Sequence, residues 1–249
     1  MDSAVRGWLS KELRPIPIPL PKDEVHVRGV RLPDTRSVLP ALWRLLSPEE
    51  RARHDRFHLQ LDRDQFTLGR GGLRILLACY YRTAPVDVLF DHTPNGKPML
   101  RGGTNPDGLT FSVAHACGLV VWAFARDRLV GIDTEPIRKS GDEAELVAAF
   151  FNPEETAAYR ALPEAERTRG FFRAWTRKEA ILKAVGVGLA EGLAGFAVTL
   201  APGERARVLH GNPGGIHADL WSLYDLDIDP GHITTLAVLG SDVQVRLRL

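Results

Sequence analysis

The sequence predicts an α+β protein made of two similar halves, and three observations carry that reading. Helical and strand-like segments mix without the regular alternation of a doubly wound parallel sheet. A helix-start signature occurs twice, as Ser47-Pro48-Glu49-Glu50 and Asn152-Pro153-Glu154-Glu155, 105 residues apart. Phe66 and Phe171, also 105 residues apart, each open an apolar helix that follows a charged amphipathic one and precedes a strand-rich stretch. The repeated interval points to an internal duplication into halves of roughly 110 residues. The expected division is an N-terminal proline-rich arm at 1–24, a first half at 25–108 and a second half at 109–249. The cleft between halves is the natural ligand site.

Each element has a local cause. The alternating prolines of Arg14-Pro15-Ile16-Pro17-Ile18-Pro19-Leu20-Pro21 lack amide donors and favour an extended, polyproline-like arm. Residues 25–32 alternate apolar and polar side chains, as a first strand does. Both helix starts place an oxygen-bearing side chain at the N-cap, a proline where its missing N–H costs nothing, and a glutamate positioned to close a capping box. The first of these helices carries Arg51, Arg53 and Arg56. Residues 66–82 read as a buried helix despite Gly71 and Gly72, which weaken it. Asn95-Gly96 marks a tight turn between strands at 86–90 and 98–100. Further strands are expected at 109–114, 119–125, 128–135, 195–200, 218–223, 232–239 and 243–249.

Composition excludes several classes. The 249 residues are 44% hydrophobic and 25% charged, ordinary for a soluble globular chain, and 32 basic against 31 acidic residues leave +1. No bulk basic field argues for nucleic acid or an anionic membrane, so an anionic ligand must be held locally. The two cysteines, Cys79 and Cys117, lie in apolar runs without metal-type spacing and read as buried free thiols of a reducing compartment. No run reaches membrane-spanning length, the N-terminus lacks a secretory signal, and a cytoplasmic location is expected. Glycine-rich dinucleotide and Walker signatures are absent.

Two segments break the apolar pattern with charge. In Gly131-Ile132-Asp133-Thr134-Glu135 the carboxylates are two residues apart on an expected strand, so they share a face about 7 Å apart. Taken alone, that segment reads as a solvent-facing strand end before Pro136. In the helix beginning at Phe171, Phe171, Phe172, Trp175, Ile181, Leu182 and Val185 define a packed side. Thr176, Glu179 and Lys183 fall along a more polar stripe. Glu179 and Lys183, four apart, would alone be a surface ion pair. Three carboxylates converging to about 4 Å repel by about 4 kcal/mol per pair at an effective dielectric of about 20, so a cation must hold them if they converge. All-oxygen ligands select a hard ion, and magnesium fits because it takes few protein carboxylates together with substrate phosphate oxygens.

Phe111-Ser112-Val113-Ala114-His115, Gly131-Ile132-Asp133-Thr134-Glu135 and Trp175-Thr176-Arg177-Lys178-Glu179-Ala180 with Lys183 resemble the three ordered motifs of the 4′-phosphopantetheinyl transferases. The length, the two halves and Asn95-Gly96-Lys97-Pro98 are similar to the larger surfactin-synthetase-type branch, a pseudo-dimer in one chain. The resemblance covers roughly residues 47–189 and implies an active site in the cleft between the halves. It also implies transfer of the phosphopantetheine arm from coenzyme A to a serine of an apo acyl or peptidyl carrier protein, releasing adenosine 3′,5′-bisphosphate, by a monomer. Asp133, Glu135 and Glu179 would hold magnesium, Glu179 would also be a candidate base, and Lys183 would neutralise or protonate the leaving phosphate. His115 and Lys97 would contact the coenzyme's phosphates and Arg53 its 3′-phosphate, although Arg51 and Arg56 also suit that role. The resemblance gives Lys178 no role.

Two positions depart from the pattern. Ala114 stands where many relatives have serine, and Glu50 where a basic residue is common. The carrier-docking surface is expected near 137–151. The same carboxylates and lysine fit a magnesium-dependent hydrolase of a phosphate ester or pyrophosphate, and a module that only binds coenzyme A or a carrier is the non-enzymatic alternative.

Overall fold

The computed structural model describes residues 18–102, 105, 107–187, 192–211 and 215–248. Part of the proline arm, and residues 188–189 at the end of the family resemblance, lie outside the described residues. The chain divides into two compact units. The first comprises Met1–Thr93, Pro98–Asp127 and Gln244–Leu249, and the second Pro94–Lys97 and Arg128–Val243.

In the first unit β1 (Glu24–Arg31) leads through α1 (Leu39–Arg44) and α2 (Pro48–Asp55) to the long helix α3 (Gln60–Tyr81). The short hairpin β2 (Phe90–His92) and β3 (Pro98–Leu100) follows, then the hairpin β4 (Leu109–Ala116) and β5 (Leu119–Arg126). β5 lies antiparallel between β1 and β4. The two strands that open the 109–249 stretch therefore belong to the first unit's sheet.

In the second unit β6 (Val130–Pro136) leads through α4 (Glu143–Phe150) and α5 (Pro153–Ala161) to α6 (Glu164–Val185). The two-residue β7 (Ala197–Val198) pairs with β8 (Val208–His210), and β9 (Trp221–Leu226) and β10 (His232–Leu239) form the closing hairpin. β10 lies antiparallel between β6 and β9. The last strand, β11 (Gln244–Arg248), returns to the first unit and pairs parallel with β1.

The duplication is visible in this topology. Each unit runs strand, capped short helix, 22-residue helix, hairpin, and in each sheet the hairpin's second strand sits between its first strand and the leading strand. Both expected capping boxes form, with Glu50 accepting from the Ser47 N–H at 2.8 Å and Glu155 from the Asn152 N–H at 3.0 Å. Each unit has its own core. Leu73, Leu77, Trp122 and Phe124 lie at the centre of the first. Phe171, Phe172, Ile181, Leu182 and Phe196 fill the second. Full burial of each such side chain contributes about 1.5–3 kcal/mol.

Gly71 and Gly72 interrupt helix propensity for a packing reason. A Cβ on Gly71 would lie 2.8 Å from the Leu42 Cβ, and one on Gly72 would lie 2.8 Å from the Trp122 ring, so α3 approaches α1 and β5 more closely than alanine permits.

Several local expectations change. The strand expected at 86–90 is a 3-10 turn, Pro85–Asp87, followed by β2, because Pro85 starts a turn rather than a ladder. The strand expected at 195–200 shrinks to β7, and 218–220 forms a 3-10 turn before β9. Cys79 is buried, but Cys117 is exposed at the tip of the β4–β5 hairpin, where φ is 45°. The tip faces solvent although its flanking strands are apolar.

Candidate active site

The candidate chemistry of the second unit is built on one strand and one helix. β6 alternates, so Asp133 and Glu135 share a face while Val130 and Ile132 are buried in the core. In register on the neighbouring strand, Asp133 stands beside Thr235 and Glu135 beside Ile233. Asp133 is only 3% exposed, which rules out the solvent-facing strand end.

α6 crosses β6 at backbone contact distance, and Gly131 makes that possible. A Cβ there would run into the Ala180 carbonyl oxygen and lie 2.6 Å from the Ala184 nitrogen. The helix atoms in contact belong to Ala180 and Ala184, the residues just after Glu179 and Lys183, and on the strand Gly131 lies two residues before Asp133. This contact brings the acidic pair and the helical pair together.

The helix is fixed by polar groups whose importance the sequence pattern hides. Thr176 donates to the Phe172 carbonyl at 2.8 Å and its hydroxyl lies 3.0 Å from that of Thr235. Arg177 grips Asp225 through two nitrogens, at 3.2 and 2.6 Å, and also donates to the Thr199 carbonyl. Lys178 is buried against Glu155. Thr176 thus belongs to the buried surface rather than to an exposed polar stripe, while Val185, expected on the packed side, is 37% exposed.

Lys183 donates to Asp133 Oδ1 at 2.5 Å. Burial pulls its pKa down, but pairing with Asp133 outweighs burial, so it sits above the usual lysine value and remains an ammonium through the neutral range. Glu179 is pushed up to about 7, first by burial and then by repulsion from Asp133, with Glu135 adding to it. Glu135 is also raised, by burial and then by Asp133. These shifts show that Glu179 and Glu135 each feel the charge of Asp133, which Lys183 offsets only in part.

Two carboxylate oxygens, Asp133 Oδ2 and Glu179 Oε1, are buried without a hydrogen-bond partner among the described residues. Orphaned hard oxygen atoms of this kind suit magnesium, which takes one or two protein carboxylates and completes its shell with water and substrate phosphate. Among the described residues no three His, Cys, Asp or Glu side chains are gathered into a ready-made ligand cluster.

The expected coenzyme contacts fall in both units. Lys97 belongs to the second, where its Nζ donates to the Ala184 carbonyl at 2.8 Å while the Asn95 side-chain amide donates to the Gly186 carbonyl at 3.0 Å. The turn thereby caps the C-terminal end of α6, where carbonyls lack helical partners and a cation is favoured. His115 is exposed near the end of β4 in the first unit. Arg53, exposed on α2, carries its guanidinium 5.6 Å from the Phe66 ring centroid. Ala114 and Ser112 are both buried in β4. Glu50 does more than close its capping box: it accepts from Arg74 Nε at 2.8 Å and lies 3.4 Å from Arg70.

Comparison with known proteins fits this arrangement. The family model of the 4′-phosphopantetheinyl transferase superfamily matches residues 129–237, and that of the 4′-phosphopantetheinyl transferase N-terminal region matches 33–126. The chain belongs to the 4′-phosphopantetheinyl transferase superfamily, in its two-halved, surfactin-synthetase-type branch. It is 37% identical over 233 residues to the 4′-phosphopantetheinyl transferase HetI of Nostoc sp., covering 94% of each chain. It is 34% identical to the putative 4′-phosphopantetheinyl transferase slr0495 of Synechocystis sp., covering 65% of each. It is 30% identical to the 4′-phosphopantetheinyl transferase Sfp of Bacillus subtilis, covering 62% of this chain and 66% of that one.

Proposed function

We propose that the protein transfers 4′-phosphopantetheine from coenzyme A to a serine of an apo acyl or peptidyl carrier protein, and that Asp133, Glu135, Glu179 and Lys183 carry the chemistry. The observation behind the residue assignment is the pair of orphaned oxygens, Asp133 Oδ2 and Glu179 Oε1, beside the Lys183 ammonium.

In the reaction the serine Oγ forms a bond to the β-phosphorus of the coenzyme's pyrophosphate. The bond from that phosphorus to the bridging oxygen breaks, and adenosine 3′,5′-bisphosphate leaves. Such a step asks mainly for positioning and charge neutralisation. Magnesium held by Asp133, Glu179 and Glu135 would supply Lewis-acid stabilisation of the pyrophosphate charge. Glu179 accepts the serine proton as general base. Lys183 offers its charge, and a proton, to the departing phosphate. Lys97 and His115 serve the coenzyme's phosphates, and Arg53 its 3′-phosphate.

The near-balanced charge offers no bulk basic field for nucleic acid, and the reading carries with it a monomer that acts in the cytoplasm.

The test is to mix the protein with coenzyme A, magnesium and apo carriers from fatty-acid, polyketide and peptide synthases, then weigh the carriers. A mass gain of one phosphopantetheine on at least one carrier is expected. Consumption of coenzyme A without any carrier gain would make the protein a hydrolase and sink the transferase reading. Glu179→Gln is expected to lower turnover at least about 100-fold, the scale of a lost acid–base group, with the circular dichroism spectrum unchanged. Near-normal turnover would remove Glu179 from the mechanism.

A further inference from the structure

We propose that the buried Glu155–Lys178 ion pair is a positioning device that fixes the rotation of α6, so that the next residue, Glu179, faces the acidic pair of β6. This rests on the reading of Glu179 as a site residue.

Both side chains are fully buried. Lys178 Nζ donates to the two Glu155 oxygens at 2.8 and 2.7 Å and to the Phe196 carbonyl at 2.5 Å, using all three ammonium donors. Glu155 accepts in turn from the Asn152 N–H at 3.0 Å and the Val198 N–H at 2.9 Å. The Phe196 ring lies 4.4 Å from the ammonium. One ion pair therefore ties the first turn of α5, the middle of α6 and the start of β7 together. Ala180, two residues after Lys178, meets β6 at Gly131, so the helix is held from two directions on either side of Glu179.

A buried ion pair is a poor source of stability compared with apolar side chains of the same volume, and fixing a register is its best-attested use. The geometry shows why register matters here. A side chain tip about 5–6 Å from the helix axis moves about 2 Å when the helix rotates by about 20°. A misplacement of about 1 Å at a reacting group can cost about 100-fold in rate.

The first unit supplies an internal control. Glu50, at the same place in its capping box, pairs with Arg74 on α3, and Arg74 also donates to the Pro85 and Val88 carbonyls at 3.0 and 2.9 Å. There the following residue is Ile75, buried in the core. A comparable buried pair between the capping glutamate and the long helix is present there, 24 rather than 23 residues apart, without a reacting group beside it.

The test compares Lys178→Met, the neutral pair Lys178→Met with Glu155→Gln, Arg74→Met and Glu179→Gln. All are measured in the full chain by carrier mass gain, at a temperature where circular dichroism shows each variant folded. Both Lys178 variants are expected to lose at least about 10-fold in kcat, while KM for coenzyme A stays within about two-fold. Arg74→Met is expected to melt earlier yet keep kcat within about two-fold. Parent-like kcat in the folded Lys178 variants, an equal kcat loss in Arg74→Met, or failure of both Lys178 variants to fold would overturn the proposal. Retained turnover in Glu179→Gln is a separate result, which removes the reading of the site on which the proposal stands.

Discussion

At Lys97, burial brings the ammonium pKa down to about 8, from an ordinary 10.5. The sign of the consequence follows from proton counting. Between pH 8 and 10.5 the unfolded chain binds more protons at this residue than the folded chain, so its contribution to stability rises with pH across that window. Below pH 8 both states are protonated and the dependence vanishes. The melting temperature at pH 9.5 relative to pH 7.5 should therefore be more favourable in the parent than in Lys97→Met, and equal differences would show that the ammonium is not perturbed. At this scale the motifs singled out Asp133 and Lys183, which the structure pairs at 2.5 Å. The sequence was silent where a charged residue is buried. Glu155 read only as a cap, and Arg177 and Lys178 as motif residues without an assigned role, because lysine, arginine and glutamate are almost never fully buried unless paired, and the pairing is tertiary. Gly131 was in view as part of a motif, but nothing in the chain announces the helix backbone that it faces.

Among the elements, α3 and α6 are the clearest repeats, and their ends differ in an informative way. Both finish on a left-handed residue. In α6 it is Gly186, at φ 78°, whose N–H donates to the Leu182 carbonyl at 2.8 Å, whereas in α3 it is Arg82, at φ 54°. Only glycine adopts that conformation without a Cβ penalty of about 1–2 kcal/mol. Arg82→Gly is therefore expected to stabilise the protein by about 0.5–1 kcal/mol, after allowance for the extra freedom glycine gives the unfolded chain. A lower midpoint in urea would contradict this account. Helices with strong start signals were readable, including both capping boxes. Of the short strands, 98–100 was readable beside its Asn-Gly turn, but β2 and β7 were not: they have three and two residues, too few for an alternation to register, and their pairing is decided by the turns that bring them together.

For the whole molecule, the sequence showed the duplication through a repeated interval, and the structure shows it as a repeated strand order. It did not show that one sheet is assembled from both ends of the chain. β11 pairs in parallel with β1 over five residues, Glu24 to Arg28, and Arg246 donates to Glu24 at 3.0 Å. Ending the chain after Val243 should remove about 2–4 kcal/mol, the worth of a few backbone hydrogen bonds at about 1 kcal/mol each. It would also leave β1 as an open edge, prone to pairing with other chains. Thermal melting with light scattering checks both; an unchanged midpoint would mean that β11 is dispensable.

The same strand sets a timetable for synthesis. β5 ends at Arg126 and β11 begins at Gln244, 118 positions later. At about 5–20 residues per second, about 6–24 s pass after β5 is complete before the outer neighbour of β1 is made, while residues 128–243 of the second unit are synthesised. The half of the protein that leaves the ribosome first is thus the half whose sheet is closed last.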